Sequence, residues 1–228
     1  MGKKRLPDVQ PCHRVFLVDE QPVLRDGLAQ LLSLEPDLCV CGHTGNAVKA
    51  ICDIAEAKPD CVIFDIALKG QNGLEIIKRI KLAYADLPIL AFTIHDEFLY
   101  AQRALRAGAR GYVMKHSSTA EVLDAIRTVL RGEIYLSPPM RDRMLERISN
   151  GACSRNSPFG GDLERLTDRQ LQVLHLIGDG CGTRQIAERL HLSGKTIEAY
   201  RAHIKQKLNL RNNLELLRVA MEAVHQTT

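Results

Sequence analysis

Four stretches of the chain share one pattern, in which a short apolar run ends in a polar or charged side chain. The residues at these ends are Asp19 with Glu20, Asp65, Thr93 and Lys115. In open α/β sheets, ligands bind outside the carboxyl ends of the strands, so we expect these side chains to converge on one site. Grouped carboxylates repel one another unless a divalent cation is present, and Mg²⁺ prefers such hard oxygen ligands.

The apolar runs that precede these residues are predicted to be buried strands. A short apolar run without alternation indicates a strand that is covered on both faces. Strand patterns and helical patterns alternate from His13 to about Leu136. Five such units predict a doubly wound α/β domain, a (βα)5 fold whose five-stranded parallel sheet has right-handed crossovers.

The composition changes after this α/β pattern. Residues 137–162 begin with a predicted helix and end in turn-forming glycine, serine and asparagine, which indicates a linker that is flexible in its distal half. From residue 163 the pattern is helical only. A short helix, a three-residue turn and a basic helix follow one another, as in a helix-turn-helix. We therefore predict domains at 1–136 and 163–228, joined by the linker 137–162.

Composition excludes several classes of protein. The chain of 228 residues is 45% hydrophobic and 25% charged, which is typical of a globular protein. No apolar run approaches the roughly 20 residues that cross a bilayer, so we expect no membrane contact and a cytoplasmic location. Seven cysteines show no metal-binding spacing, and we expect all of them to be structural. Cys39, Cys41 and Cys61 lie in predicted strands, where a free cysteine acts as a small hydrophobe.

The net charge of +4 is concentrated in one predicted helix. Residues 195–211 contain five basic side chains and one acidic side chain, and the rest of the chain is balanced. A local positive excess on a neutral background favours a polyanion as the partner. The alternative is a structural helical bundle with a solvated basic face.

The first 130 or so residues resemble the receiver domain of bacterial two-component response regulators. The residues that carry the resemblance are Val18 to Pro22, Asp65, Thr93, Tyr112 and Lys115. The resemblance implies that a partner histidine kinase transfers a phosphoryl group to Asp65. The Mg²⁺ ligands that it implies are Asp19, Glu20, Asp65 and the backbone carbonyl of Ala67.

The resemblance also assigns roles to three other residues. Lys115 and Thr93 would bind phosphoryl oxygens. Thr93 and Tyr112 would form a switch, in which the threonine moves toward the phosphoryl group and the aromatic ring turns inward behind it. The alternative for Tyr112 is a core tyrosine whose hydroxyl group lies at the surface.

The chain departs from the common receiver pattern in places. Glu20 stands where aspartate is commonest, which adds a methylene to one metal ligand. Lys69 and His116 stand where proline is frequent. Ala67 and His95 occupy positions that tune the lifetime of the aspartyl phosphate in the family. The Glu20 departure favours one alternative, an orphan regulator of the same architecture that dimerises and binds DNA without phosphorylation.

The last 65 or so residues resemble the LuxR-type helix-turn-helix of NarL/FixJ response regulators. The residues that carry this resemblance are Leu166 to Gln170, Val173, Leu174, Gly180, Ile186, Ala187, Leu190, Ser193, Thr196, Ile197, His203, Ile204, Lys207 and Leu208. The predicted DNA-binding residues are Lys195, Thr196, Glu198, Ala199, Arg201, Ala202, Lys205 and Lys207. The lysines are expected to contact phosphates. Glu198 suits the amino group of cytosine, and Ala199 suits a thymine methyl.

The combined prediction is a transcription regulator and not an enzyme. Its expected partners are a sensor histidine kinase, the major groove of double-stranded DNA, a second copy of the chain on that DNA, and RNA polymerase. The sequence gives less support to two other classes of protein. A haloacid-dehalogenase-type phosphatase needs a second acid where Ala67 stands. A small-molecule sensor needs an aromatic-lined pocket, and only 4% of the residues are aromatic.

Overall fold

A parallel sheet forms the centre of the N-terminal part of the protein. The computed structural model describes residues 12–68, 70–149 and 162–225. The strands are β1 (His13–Val18), β2 (Leu38–Thr44), β3 (Cys61–Phe64), β4 (Ile89–Thr93) and β5 (Gly111–Met114). They pair in the order β2-β1-β3-β4-β5, and every pairing is parallel. The predicted doubly wound α/β class is confirmed.

Five helices cover the two faces of this sheet. They are α1 (Pro22–Ser33), α2 (Ala47–Ala57), α3 (Gly73–Ala83), α4 (Glu97–Ala107) and α5 (Thr119–Leu130). Buried side chains of α1 and α5 pack in one cluster, and those of α2, α3 and α4 pack in the other. Caps fix several of the helix starts: the Asn46 and Asn72 side chains accept from backbone N–H groups of α2 and α3. The sheet and α1–α5 are called the α/β domain below.

The C-terminal part is helical, as predicted. After a 3-10 turn at Asp162–Arg165 come α7 (Asp168–Gly178), α8 (Thr183–Leu190), α9 (Gly194–Lys207) and α10 (Asn213–His225). Thr167 and Gln170 form a capping box at the start of α7. His191 adopts a positive φ of 53° at the end of α8 and turns the chain toward α9. Helices α7–α10 are called the helical domain below.

Helix α6 (Pro138–Ser149) lies between these two domains in the chain and begins against the α/β domain. The Ser137 hydroxyl donates to the Glu97 carboxylate at 2.7 Å, and Met140 is 1% exposed. The proximal half of the predicted linker is therefore held by α4. The predicted flexible stretch at 150–161 lies outside the described residues, and the boundaries at 136 and 162 stay predictions.

One expectation about the cysteines is wrong. Cys12 and Cys39 form a disulfide with 5.8 Å between their Cα atoms, so Cys39 is not a free hydrophobe. The reason is strand pairing, because β1 and β2 place Arg14 opposite Cys39 and bring the residue before β1 within reach. The free cysteines among the described residues are Cys41, Cys52, Cys61 and Cys181. Across the described ranges, the helices are too short or too polar to span a membrane.

Candidate functional site

The ends of β1, β3 and β5 bring two carboxylates and one ammonium group together. Lys115 Nζ lies 2.6 Å from Asp19 Oδ2 and 2.7 Å from Asp65 Oδ2. The three side chains are at most 8% exposed. Parallel pairing accounts for the geometry, since the Asp65 backbone N–H donates to Val18 O at 2.8 Å and continues the ladder between β1 and β3. These three predicted residues therefore meet.

The charges in this cluster can accommodate an additional cation. Burial raises the pKa of the Asp65 carboxyl, and the adjacent Lys115 ammonium opposes that shift. Asp65 Oδ1 accepts from the Ala67 N–H at 2.8 Å, and Asp19 Oδ1 accepts from the Gln21 N–H at 2.8 Å. Asp19 Oδ2 is buried and forms the ion pair but no hydrogen bond with the described residues. Two buried carboxylates share one ammonium, which suits a divalent cation.

Glu20 and Thr93 lie near this cluster in different ways. Glu20 lines the same cavity as Asp65 and Lys115. Across the described residues, however, no three acidic, imidazole or thiol side chains are grouped as a metal site. The direct role of Glu20 in metal binding therefore stays a prediction. Thr93 is fully buried at the end of β4, and its Oγ1 accepts from the His95 N–H at 3.4 Å.

Tyr112 lies inward in this structure. Its ring is fully buried, and its hydroxyl group donates to the backbone carbonyl of His95 at 2.8 Å. Burial raises the pKa of the Tyr112 phenol well above its usual range, so it stays a donor. The hydroxyl group is therefore not at the surface, where the core-tyrosine alternative expected it, and the switch role of Tyr112 stays a prediction. Thr93 and Tyr112 both hydrogen-bond to the loop between β4 and α4, through the backbone of His95.

The side chain of His95 lies where the two domains meet. Its ring stacks on Tyr100, with 4.5 Å between centroids and 12° between planes. His175 of α7 packs against both rings, at centroid distances of 4.9 and 5.3 Å. Burial lowers the pKa of His95 to about 4 and that of His175 to about 3, so both imidazoles are neutral near pH 7. His95, Tyr100 and His175 are called the aromatic contact below.

Polar contacts beside this aromatic contact join α3 and α4 to α7. Arg103 of α4 binds Asp168 Oδ1 at 2.9 Å, with the two side chains 13% and 26% exposed. Arg103 also donates to the carbonyl groups of residues 163 and 164, at 3.1 and 3.3 Å. Lys78 Nζ lies 3.5 Å from the other oxygen of Asp168. The guanidinium group therefore holds the start of the helical domain against α4.

A cavity of about 320 Å³ lies between the domains, and its lining includes Asp65, Lys115, His175 and Gln172. Gln172 Nε2 donates to the carbonyl of Gln71 at 2.7 Å, across the domain boundary. Helix α7 therefore covers the side of the α/β domain on which the phosphoacceptor candidate lies. We call this arrangement the closed form.

The basic helix α9 has one apolar side and one exposed side, as predicted. Ile197 and Ile204 are fully buried. Four predicted DNA-binding residues, Lys195, Glu198, Ala199 and Ala202, are exposed. Thr196, Arg201, Lys205 and Lys207 are half-buried. An exposed basic helix in second position of a helix-turn-helix is the element that enters a major groove.

Some of these side chains have partners within the helical domain. Glu198 Oε1 accepts from the Thr183 hydroxyl at 2.6 Å. Lys205 Nζ donates to Asn213 Oδ1 at 2.9 Å. Lys207 Nζ donates to Arg165 O and Gln170 Oε1, at 3.0 and 2.9 Å. A phosphate contact by Lys207 would require these bonds to break, and it stays a prediction.

The contact between the domains was missed by the sequence patterns. His175 is one polar position in a predicted helix with many apolar residues, so the pattern assigns it no role. The signal was the number of those residues: Leu171, Val173, Leu174, Leu176 and Ile177 occupy more than one face of α7. A helix that is apolar on most sides is covered on most sides. Helices α8, α9 and α10 pack against α7, and the α/β domain covers the side of α7 that carries His175.

Family comparisons agree with this geometry. Residues 15–127 match the response regulator receiver domain, and residues 164–220 match the bacterial regulatory proteins of the luxR family. The chain is 34% identical to the oxygen regulatory protein NreC of Staphylococcus carnosus (strain TM300), over 92% of this chain and 97% of that protein. The chain therefore belongs to the two-component response regulators. Within them it is a DNA-binding regulator of the NarL/FixJ type, a class of transcription regulators.

Solved structures are similar over one domain or over both. A LuxR-family two-component response regulator from Aurantimonas sp. SI85-9A1 is 33% identical, covers 60% of this chain and 99% of its own, and has a TM-score of 0.57. RcsB from Salmonella enterica serovar Typhimurium, bound to promoter P1flhDC in the presence of phosphomimetic BeF3−, is 25% identical with a TM-score of 0.66. That comparison covers 91% of this chain and 98% of the RcsB chain.

Proposed function

We propose that this chain is a cytoplasmic transcription regulator that a partner histidine kinase controls by phosphorylating Asp65. The observation that carries the proposal is the buried Lys115 ammonium, shared by Asp19 and Asp65 at 2.6 and 2.7 Å. A carboxylate accepts a phosphoryl group only where the incoming negative charge is neutralised. In the proposed transfer, an Asp65 oxygen bonds to phosphorus, the phosphorus–nitrogen bond of the kinase phosphohistidine breaks, and the imidazole leaves.

Mg²⁺ is the metal that this cluster fits. Asp19 and Asp65 would hold it, with the Ala67 carbonyl and Glu20 as the further predicted ligands. The two buried carboxylates, which share a single ammonium group, support this assignment. When bound, the ion neutralises phosphoryl oxygens. Lys115 stays close enough to bind another phosphoryl oxygen and keeps the two acids from repelling each other.

Phosphorylation would then act on the loop between β4 and α4. The Thr93 hydroxyl accepts from the His95 N–H, and a turn toward a phosphoryl group on Asp65 would break that bond. Tyr112 holds the His95 carbonyl from the other side. A shift of this loop moves the His95 ring, which packs against His175 of the helical domain. The aromatic contact thus links the phosphorylation site to the DNA-binding helices.

Release of the helical domain is the proposed output. In the released state, called the open form, α10 would pair with a second copy through Leu214, Leu217 and Met221, whose exposed fractions are already 76%, 37% and 41% in the closed form. Two paired domains would place their α9 helices in successive major grooves of a two-fold site. RcsB from Salmonella enterica serovar Typhimurium, solved on a promoter in the presence of phosphomimetic BeF3−, supports by analogy that the activated state binds DNA. A contact with RNA polymerase stays a prediction.

The test of this function is phosphate incorporation from acetyl phosphate with Mg²⁺, measured by phosphate-affinity electrophoresis. The wild-type protein is expected to be labelled, and Asp65→Asn is expected to stay unlabelled. Lys115→Met should lower labelling, since it removes the ammonium beside the acceptor. An unlabelled wild type that still binds DNA would favour the orphan regulator, the second candidate, for which Glu20 is the supporting feature.

A further inference from the structure

A hydrogen bond joins the two helices of the helix-turn-helix at the surface predicted to face DNA. The Thr183 hydroxyl donates to Glu198 Oε1 at 2.6 Å, although the two residues are fifteen positions apart. This length is typical of an O–H donor on an ionised carboxylate, which is about twice as strong as a neutral pair. Thr183 is the first residue of α8, and Glu198 lies on the exposed side of α9.

The position of Thr183 explains why it binds a carboxylate. The start of a helix carries a partial positive charge and favours an anion there. The backbone N–H of Gly182 at this start is already taken by Gln185 Oε1 at 2.9 Å. The hydroxyl group of Thr183 is the donor that reaches Glu198. Across the described residues, the carboxylate of Glu198 belongs to no ion pair, so this hydroxyl orients it.

A carboxylate on a DNA-binding surface weakens DNA binding unless a hydrogen-bond donor of the DNA pairs with it. Phosphates repel it, and it accepts hydrogen bonds but donates none. In the major groove the N4 amino group of cytosine offers the donor that suits it, while guanine O6 and thymine O4 offer acceptors. A mobile glutamate can turn away from a base that repels it. A glutamate held in place by a second helix cannot turn away, so its repulsion with an acceptor atom disfavours binding to the wrong base.

We propose that Thr183 is a positioning residue for base recognition, which fixes Glu198 so that its other carboxylate oxygen accepts from a cytosine amino group. The inference rests on the proposed DNA-binding function and adds the source of its sequence preference. Thr183 acts through Glu198 and need not touch a base. Lys195, exposed at the start of α9, supplies phosphate affinity without this preference.

The test is selection of bound duplexes from a random pool by the full-length protein, activated with BeF3− and Mg²⁺. The wild type should enrich cytosine at one position of each half-site. Thr183→Val keeps the size of the side chain and removes the donor, and should lower that preference about 5- to 10-fold at this position alone. Thr183→Ser should retain it. The salt dependence of binding should not change in either variant, because no phosphate contact is lost.

A double-mutant cycle separates positioning from structure. Glu198→Ala should lose the cytosine preference, and Thr183→Val should have no further effect in that background. An unchanged preference in Thr183→Val, or equal losses with and without Glu198, would overturn the inference. If Thr183→Val fails to fold by circular dichroism, Thr183→Ala takes its place. A wild type that selects no sequence would instead refute the proposed DNA-binding function.

Discussion

Replacing Arg103 by alanine should open the protein without phosphorylation. The guanidinium group forms an ion pair with Asp168 at 2.9 Å and donates to two backbone carbonyls, at 3.1 and 3.3 Å. Hydrogen bonds to charged groups contribute about 1.5–3 kcal/mol each, but these groups regain water on opening. We therefore expect a net loss of about 2 kcal/mol from the closed form. That corresponds to a roughly 30-fold shift of the equilibrium toward the open form.

DNA affinity measures this shift directly. When only the open form binds, the apparent dissociation constant is the intrinsic constant divided by the open fraction. Unphosphorylated Arg103→Ala should therefore bind its selected duplex about 30-fold more tightly than the wild type in fluorescence anisotropy. Hydrogen exchange should show faster labelling in α7, because the α/β domain no longer packs against this helix. Phosphorylation of the variant should add little further affinity.

The matched control is Arg106→Ala, which removes the same charge from an exposed position of the same helix. Arg103→Lys is a second control, since it keeps the charge but loses the planar fork, and should give an intermediate shift. Equal DNA affinity in Arg103→Ala and Arg106→Ala, together with unchanged exchange in α7, would refute the claim that Arg103 holds the domains together.

Two further predictions concern the aromatic contact and α10. The pKa values of His95 and His175 are lowered to about 4 and about 3 in the closed form, against about 6.5 for an exposed imidazole. The open form therefore binds more protons below pH 6.5, and the closed form should lose stability as the pH falls from about 6.5 toward about 4. Hydrogen exchange of α7 as a function of pH measures this loss of stability. His175→Phe should weaken the pH dependence. Equal protection of the α7 amides at pH 5 and pH 7 would contradict the prediction. Leu217→Glu should reduce dimers on DNA in analytical ultracentrifugation of the activated protein, while Glu222→Lys, at another exposed position of α10, should not.

Much of the fold could be predicted because local sequence determines it. The apolar runs that form β1, β3, β4 and β5 are buried on both sides, so their lack of alternation was a direct signal. Local sequence also fixes α2, because a cap at Asn46 and a positive φ at Lys58 define its two ends. Parallel topology then placed Asp19, Asp65 and Lys115 at one edge.

The rest depended on contacts between distant parts of the chain. The Cys12–Cys39 disulfide follows from the pairing of β1 with β2, which no cysteine spacing indicates. Arg103 and Asp168 are 65 residues apart, and the sequence does not distinguish either of them from an ordinary charged surface residue. The Thr183–Glu198 bond requires the crossing of two helices. Side-chain patterns predict which face of an element is buried but not which partner covers it.

Phosphorylation of Asp65 should control access to DNA, and one titration tests this most directly. Fluorescence anisotropy on the selected duplex compares the wild type and Asp65→Asn, each with and without BeF3− and Mg²⁺. We predict that the additives tighten binding by the wild type at least tenfold and leave Asp65→Asn unchanged. Equal affinities for the wild type in both conditions, or equal tightening in Asp65→Asn, would contradict the account.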